Sequence, residues 1–263
     1  LKTILNADKK GYIVNFTQTI IVICNIILAI ISVIIYPSIH VLKLISGMLF
    51  ILQPVVFGKY VKSHYHIDWR APRDNSLIKE RWNGFAINLA AFIHNSTDIT
   101  ILTIFTSLKI VSIYSVYNLV SSGIKQLINA CLTGIAHTVG QAYAKRNFDE
   151  LNQKMDIYEY IVFVLVYFFF TVSALLITPF VQIYTKGIVD TNYYQPVFGI
   201  LLLISEALYL IKLPHLNLAY SANKFKEITL PAFIEATLNI VISILLVSKW
   251  GLIGVAVGTI AGM

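Results

Sequence analysis

Stretches of about twenty mostly apolar residues recur along the chain, at approximately 13 to 36, 38 to 60, 83 to 106, 111 to 141, 157 to 180, 194 to 220, 228 to 248 and from 250 onward. A helix of about 20 such residues spans the roughly 30 Å hydrocarbon core of a bilayer. The segments must be helices, because a single strand in lipid leaves its backbone polar groups unpaired. Composition argues against a soluble fold. Of the 263 residues 57% are hydrophobic and 13% charged, against about 45–50% and about 25% in globular proteins, too few charges to cover a water-facing surface. The expected fold class is all-α, a polytopic membrane helical bundle.

Local punctuation supports the divisions. Tyr36-Pro37-Ser38 reads as a tight turn, Thr178-Pro179 as the close of the fifth helix, and Trp250-Gly251 as the break before the eighth. Alternating the sides of the eight helices then sorts the basic residues. Fourteen of the twenty Lys and Arg fall in loops on one side, and only Lys109, Lys186 and Lys249 on the other. By the positive-inside rule the first side is cytoplasmic, and it includes the basic stretch 61 to 82. Lys43, Lys125 and Lys212 remain inside helices. The net charge of +7 is thus a topology signal, and no basic run interleaved with aromatics suggests a nucleic-acid partner. Cys24 and Cys131 lie in apolar segments without CxxC or Cys/His spacing, so they read as helix-packing residues. The chain opens on Leu1 and stops at Met263 inside an apolar run, which reads as a stretch of a longer protein.

An internal echo lays Asn6-Ala7-Asp8-Lys9 on Ser221-Ala222-Asn223-Lys224 at a shift of 215 residues. After a one-residue gap Asn25 falls on Asn239. Each is an Ala-(Asp/Asn)-Lys turn leading to a helix with a mid-membrane Asn, the kind of repeat found in two-bundle transporters. On that reading residues 1–60 are the last two helices of an N-terminal six-helix bundle and 61–82 a cytoplasmic linker. Residues 83–263 are then a C-terminal six-helix bundle, truncated at its last helix.

Ionisable groups at membrane depth cost at least about 2.5–3.5 kcal/mol each, so they normally face a bundle interior or an aqueous cavity. Ser115, Asn118, Ser122, Lys125, Gln126, Asn129, Thr133 and His137 recur at three- and four-residue steps, one stripe on the fourth helix. The stripe reads as a lined path or a polar helix seam, and Lys125 supplies a point charge suited to a phosphate. On the third helix Asn88, His94, Asn95 and Asp98 share an arc. Asp98 is the expected partner of Lys125, with a proton-carrying or substrate-contacting role as the alternative. His94 reads as packing or relay. On the sixth helix Glu206, Tyr209 and Lys212 lie near the kink expected at Pro214. Glu206 and Lys212 differ by about 240° around the axis, which predicts different neighbours for each. On the seventh, Glu235, Asn239 and Ser243 form a seam for packing, ion coupling or sugar contact.

Gly254, Gly258 and Gly262 make GxxxGxxxG, a ridge for close helix approach. The triplet His64-x-His66-x-Asp68 has ligand-type residues but no second cluster, so no metal and no cofactor are expected. GxSxG, Walker A, HExxH and paired-carboxylate motifs are absent, and the largest loop is only about twenty residues, so no catalytic role is expected.

Two stretches carry a specific resemblance. Arg81-Trp82-Asn83-Gly84 leading into HNSTDITILTIFTSLKIVSIYSVYNLV (94 to 120), and LNLAYSANKFKEITLPAFIEATLNIVISILLVSKWGLIGVAVGT (216 to 259), are similar to bacterial Wzx-type polysaccharide flippases of the MATE-like MOP superfamily. The resemblance implies two six-helix bundles around a central, often cationic cavity. It also implies an undecaprenyl-diphosphate-linked oligosaccharide as cargo, moved to the outer leaflet of the bacterial cytoplasmic membrane for capsule, O-antigen or exopolysaccharide synthesis. Membrane lipids, polysaccharide polymerase and glycosyltransferases are the implied partners. The expected path residues are Lys125, Asn118, Ser122, Gln126, Asn129, Asp98 and Asn95, with His94, Glu206, Glu235 and Asn239 in coupling or packing. The chain departs from a cationic cavity in having one central lysine and no intramembrane arginine. Rival readings are a MATE-type drug or metabolite antiporter using Asp98, Glu206 and Glu235, and a peptidoglycan-precursor flippase. A membrane glycosyltransferase or polymerase would need a catalytic group on an outer loop, where Asp190 is the main acid.

Overall fold

The computed structural model of the chain describes residues 2, 5, 8, 10–65 and 81–263. All regular structure among them is helical. Eight helices lie within these residues: α1 Gly11–Ile35, α2 Ile39–His64, α3 Arg81–Phe105, α4 Leu108–Ala144, α5 Phe148–Tyr184, α6 Pro196–Ser221, α7 Phe225–Trp250 and α8 Leu252–Gly262. Five of them, α1, α2, α5, α6 and α7, are long and apolar enough to cross a membrane. The protein is therefore all-α with multi-pass character. The expectation was eight spans; α8 has only 11 residues, and α3 and α4 carry the polar stripes that lower their hydropathy.

Several boundaries differ from expectation. α5 runs through Pro179 to Tyr184 instead of ending there. Pro54, Pro214 and Pro231 also sit inside helices, as membrane helices permit when neighbouring groups re-satisfy the freed carbonyls. α2 continues to His64, so the first residues of the expected linker are helical. His66 and Asp68 of the ligand-type triplet lie outside the described residues, as do Asn6, Ala7 and Lys9 of the repeat. At the other copy of that repeat, Asn223 adopts φ +56°, the left-handed conformation that asparagine tolerates after a helix end.

Two compact units divide between Arg73 and Asp74. In the first, α1 and α2 form a hairpin joined by Tyr36-Pro37-Ser38, where the Ser38 amide donates to the Tyr36 carbonyl at 2.7 Å. Leu5, Val14, Phe57 and Val61 make its small core. Beside it Asp8, Lys10 and Tyr65 close a triangle: Lys10 Nζ lies 2.8 Å from Asp8 Oδ2 and donates to the Tyr65 hydroxyl, which itself donates to Asp8. The Lys10 ammonium, and secondarily the Tyr65 hydroxyl, hold the Asp8 carboxyl below its ordinary range. Cys24 and Cys131 are both exposed, which corrects their reading as packing residues; in a bilayer an apolar side chain gains nothing by leaving the lipid-facing side.

In the second unit α4, α5 and α6 pack on one another, α7 packs on α8 and α3, and α6 also meets α8. The shared core contains Tyr117, Tyr158, Phe198, Leu132, Ile177 and Leu210. Asn147 caps α5 by accepting from the Glu150 amide at 3.2 Å, while its own amide donates to Glu150 Oε2 at 3.1 Å, a reciprocal cap. Tyr117, fully buried, donates to the Tyr193 carbonyl at 3.1 Å and accepts from the Gln195 amide at 3.0 Å. It thereby ties α4 to the start of α6. Its ring lies so close to Gly199 that a Cβ there would stand 2.7 Å from a ring carbon. Tyr117→Phe keeps the packing and orphans both backbone groups; the expected loss is about 1–3 kcal/mol, read as a lower thermal midpoint in detergent.

Candidate functional site

The expected site residues are spread over four helices of the second unit, and the fold brings most of them to two adjoining cavities. The first, about 220 Å³, is lined by His94, Asn95 and Asp98 of α3, Tyr114, Asn118, Ser122 and Lys125 of α4, Leu202, Ser205 and Glu206 of α6, and Thr259 of α8, with Met263. The second, about 410 Å³, is a largely apolar groove between α3, α6 and α7. Ile87, Ala90, Leu216, Ala219, Ile228 and Pro231 line its walls, Lys224 and Glu227 stand toward one end, and Lys212 and Glu235 toward the other. His94 and Asn95 line both spaces. Gln126 and Asn129 line neither.

The polar stripe of α4 therefore serves two environments. With 37 residues the helix is about 55 Å long at 1.5 Å per residue, well beyond the membrane core. Asn118, Ser122 and Lys125 reach the cavity, while Ser115, Gln126, Thr133 and His137 are exposed and Asn129 is half-buried.

Charge pairing differs from the expected Asp98–Lys125 contact. Lys125 Nζ sits 2.7 Å from Glu206 Oε2, off the angle of a hydrogen bond, so this oxygen has an ion pair but no aligned donor. Lys212 Nζ reaches both oxygens of Glu235 at 2.6 Å. Glu206 and Lys212 do face different neighbours, as their 240° separation predicted. Tyr209 lies between them: residues at i, i+3 and i+6 step back by about 60° each around the helix. Its ring has Lys125 Nζ 4.6 Å and Lys212 Nζ 5.5 Å from its centroid, close enough for cation–π attraction to both. Two ion pairs thus flank one aromatic ring, and their charges cancel.

Asp98 belongs to a second cluster. The Thr259 hydroxyl donates toward both its oxygens at 2.9 and 3.0 Å, and the Tyr114 hydroxyl lies 3.4 Å from Oδ2. Asn239, fully buried, donates from Nδ2 to Thr259 at 3.3 Å, while its Oδ1 accepts from Ser243 at 3.4 Å. Among the described residues Asp98 makes no ion pair; the hydroxyls of Thr259 and Tyr114 and the Asn239 amide meet its carboxyl. Pairing with Lys125 fails because α4 turns that lysine toward α6, whereas Asp98 points at α8.

The approach of α8 depends on the glycine ridge. A Cβ on Gly254 would meet the Leu246 carbonyl at 2.5 Å, one on Gly258 the Ser243 Oγ at 2.1 Å, and one on Gly262 the Glu235 carbonyl at 2.8 Å. The ridge is a packing device, as expected, and it also delivers Thr259 to Asp98. Sequence reasoning did not single out Thr259 or the central place of Tyr209. The threonine's adjacency to Gly258 and the three-residue spacing of Glu206, Tyr209 and Lys212 were the available signals.

Asp98→Asn preserves shape and an acceptor for Thr259 but removes the charge. The expected outcome is a stability change of no more than about 1 kcal/mol, checked by thermal melting in detergent. Among the described residues no group of three or more His, Cys, Asp or Glu is placed to hold a metal. No protein-family model, curated protein or solved structure matches the chain.

Proposed function

We propose that the protein translocates an undecaprenyl-diphosphate-linked oligosaccharide across the bacterial cytoplasmic membrane, as a Wzx-type flippase with a MATE-like pair of bundles. The observation that carries the reading is the junction at His94 and Asn95, where an apolar groove meets a polar cavity flanked by Lys125–Glu206 and Lys212–Glu235. The chemistry fits an amphipathic cargo. Isoprenoid units suit the groove, the two ammonium groups suit phosphate oxygens, and Asn118, Ser122, Asn95 and Tyr209 suit sugar hydroxyls. Each lysine is already held by a carboxylate, so an arriving phosphate exchanges one anionic partner for another. That keeps affinity moderate, which a carrier needs in order to release its load. No bond of the cargo is made or broken; on this reading glycosyltransferases build the cargo before the step and a polymerase acts after it.

A second reading, a drug or metabolite antiporter, draws on Asp98: a buried carboxyl met by hydroxyls and an amide but by no cation is suited to carrying a coupling proton. Lys125→Ala separates the two readings in cells. At matched protein abundance the flippase reading expects surface polysaccharide to fall; unchanged polysaccharide together with altered drug resistance favours antiport.

A further inference from the structure

Nδ1 of His94 faces two partners of opposite sense. The amide Nδ2 of Asn239, 3.5 Å away, can only donate to it. The carboxylate Oε1 of Glu235, 3.8 Å away, can only accept from it. The Thr259 hydroxyl, whose proton goes to Asp98, accepts from the same Asn239 amide nitrogen, which fixes that amide's orientation. Whether Nδ1 carries a proton therefore selects the partner: bare, it accepts from Asn239; protonated, it turns to Glu235.

Glu235 is itself shared, since the same Oε1 lies 2.6 Å from Lys212 Nζ. Lys212 and Glu235 both line the groove. The other charged or titratable groups lining the two spaces are Glu206, Tyr209, His215 and Tyr220 on α6, Lys125 and Tyr114 on α4, Glu227 on α7 with Lys224 just before it, and Asp98 on the histidine's own helix; His215 is mostly exposed and faces Glu159 of α5 at 3.5 Å. Lys125 is already met by Glu206, Asp98 by Thr259, and α8 contributes no titratable side chain to the cavity. If an anion takes Lys212, Glu235 is the carboxylate left without a partner. At 23% side-chain exposure an uncompensated charge there is costly, and His94, whose Nδ1 already lies 3.8 Å from Oε1, is the group placed to meet it.

We propose that an isoprenoid diphosphate bound in the groove draws Lys212 away from Glu235, and that Glu235 then pairs with a protonated His94, so that binding of the anion takes up one proton from solution. This rests on reading the cargo as a lipid diphosphate. The step breaks one ion pair and forms two, and the only species added besides the ligand is the proton on Nδ1, with Nε2 keeping its own so that the ring becomes imidazolium. His94 acts here as a positioning residue, since it touches Glu235 and not the ligand.

Calorimetric titration of the full chain in detergent with farnesyl diphosphate, run in two buffers of different protonation enthalpy, reads the proton directly. The expected result is uptake of about one proton per bound ligand, with affinity falling by up to about tenfold for each unit that the pH rises. His94→Gln is expected to bind with uptake reduced to about zero. Glu235→Gln, which frees Lys212 beforehand, is expected to bind more tightly and also without uptake. Binding in the wild type without uptake, or equal uptake in His94→Gln, overturns the inference and leaves the flippase reading standing. Absence of farnesyl diphosphate binding overturns both. Inorganic pyrophosphate in a parallel arm distinguishes free phosphate from a lipid headgroup: weaker binding than farnesyl diphosphate supports the lipid source, and equal binding contradicts it.

Discussion

Gly258→Leu is expected to prevent the second unit from folding. The Cβ alone would stand 2.1 Å from Ser243 Oγ, 2.7 Å from its amide nitrogen and 2.9 Å from its Cα. The hydroxyl can rotate away, but two of these three atoms are backbone of α7, so the helix itself must retreat. Alanine at this site is expected to cost toward the upper end of the about 1–3 kcal/mol typical of overpacking, and leucine, with three further carbons, more. Because leucine forces α7 back along its contact with α8, its cost is expected to reach the total stability of about 5–15 kcal/mol, and the folded fraction is lost. Separation of α7 and α8 also withdraws Thr259 from Asp98 and Asn239, so function falls with the fold. The ratio of monodisperse to aggregated protein after detergent extraction is the readout. Gly134→Ala is the matched control: a Cβ there meets nothing within 4 Å, and replacing a mid-helix glycine is expected to leave stability equal or raise it by about 0.5–1 kcal/mol.

Breaking the Lys125–Glu206 pair is the second large effect. Removing one partner of a buried ion pair costs about 3–5 kcal/mol because the other charge is stranded. Lys125 and Glu206 keep 21% and 13% of their side-chain surface exposed, so the expected cost of either single change is lower, about 1–3 kcal/mol. Lys125→Met and Glu206→Gln are each expected to reduce abundance. The double variant is expected to recover most of it, since two neutral side chains strand no charge, giving a coupling of about 1–2 kcal/mol in a double-mutant cycle. Transport is expected to stay low in the double variant. Recovery of abundance without recovery of transport separates the structural part of the pair from its use by cargo.

Much of the helical layout could be read from hydropathy, because an apolar run of fixed length has one solution in a bilayer. The boundaries that moved did so for local reasons: Pro179 sits far enough inside α5 for the helix to continue, and α2 keeps its geometry to His64 although Lys59 and Lys62 had suggested a loop. Helical arithmetic also anticipated that Glu206 and Lys212 part company, since angular separation on one helix follows from spacing alone. Partners across helices did not follow in the same way. Asp98 and Lys125 are opposite in sign and line one cavity, yet the rotation of α4 aims the lysine at α6, and that rotation is set by Tyr117 against Gly199 and the loop at Tyr193. Thr259 was hidden for the opposite reason. It stands in a run of glycine and apolar residues that reads as packing, and it gains a polar role only because the ridge lets α8 approach α7 and α3. Of the α4 stripe, periodicity identified the face but not how far along the helix the cavity extends, which is why Ser122 and Lys125 reach it and Asn129, a turn further on, does not; Gln126 lies about 100° around the axis from Lys125.

The central claim, movement of a lipid-linked oligosaccharide by this protein, is tested most directly in reconstituted vesicles. A fluorescently labelled undecaprenyl-diphosphate oligosaccharide is placed in both leaflets, and an external glycosidase reports the fraction that becomes accessible. The account predicts that protein-containing vesicles expose the inner-leaflet pool, so that accessibility rises from about half toward completeness, and that Lys125→Ala vesicles with equal protein remain near half. Accessibility that stays near half with folded wild-type protein under an imposed proton gradient of either direction would contradict it.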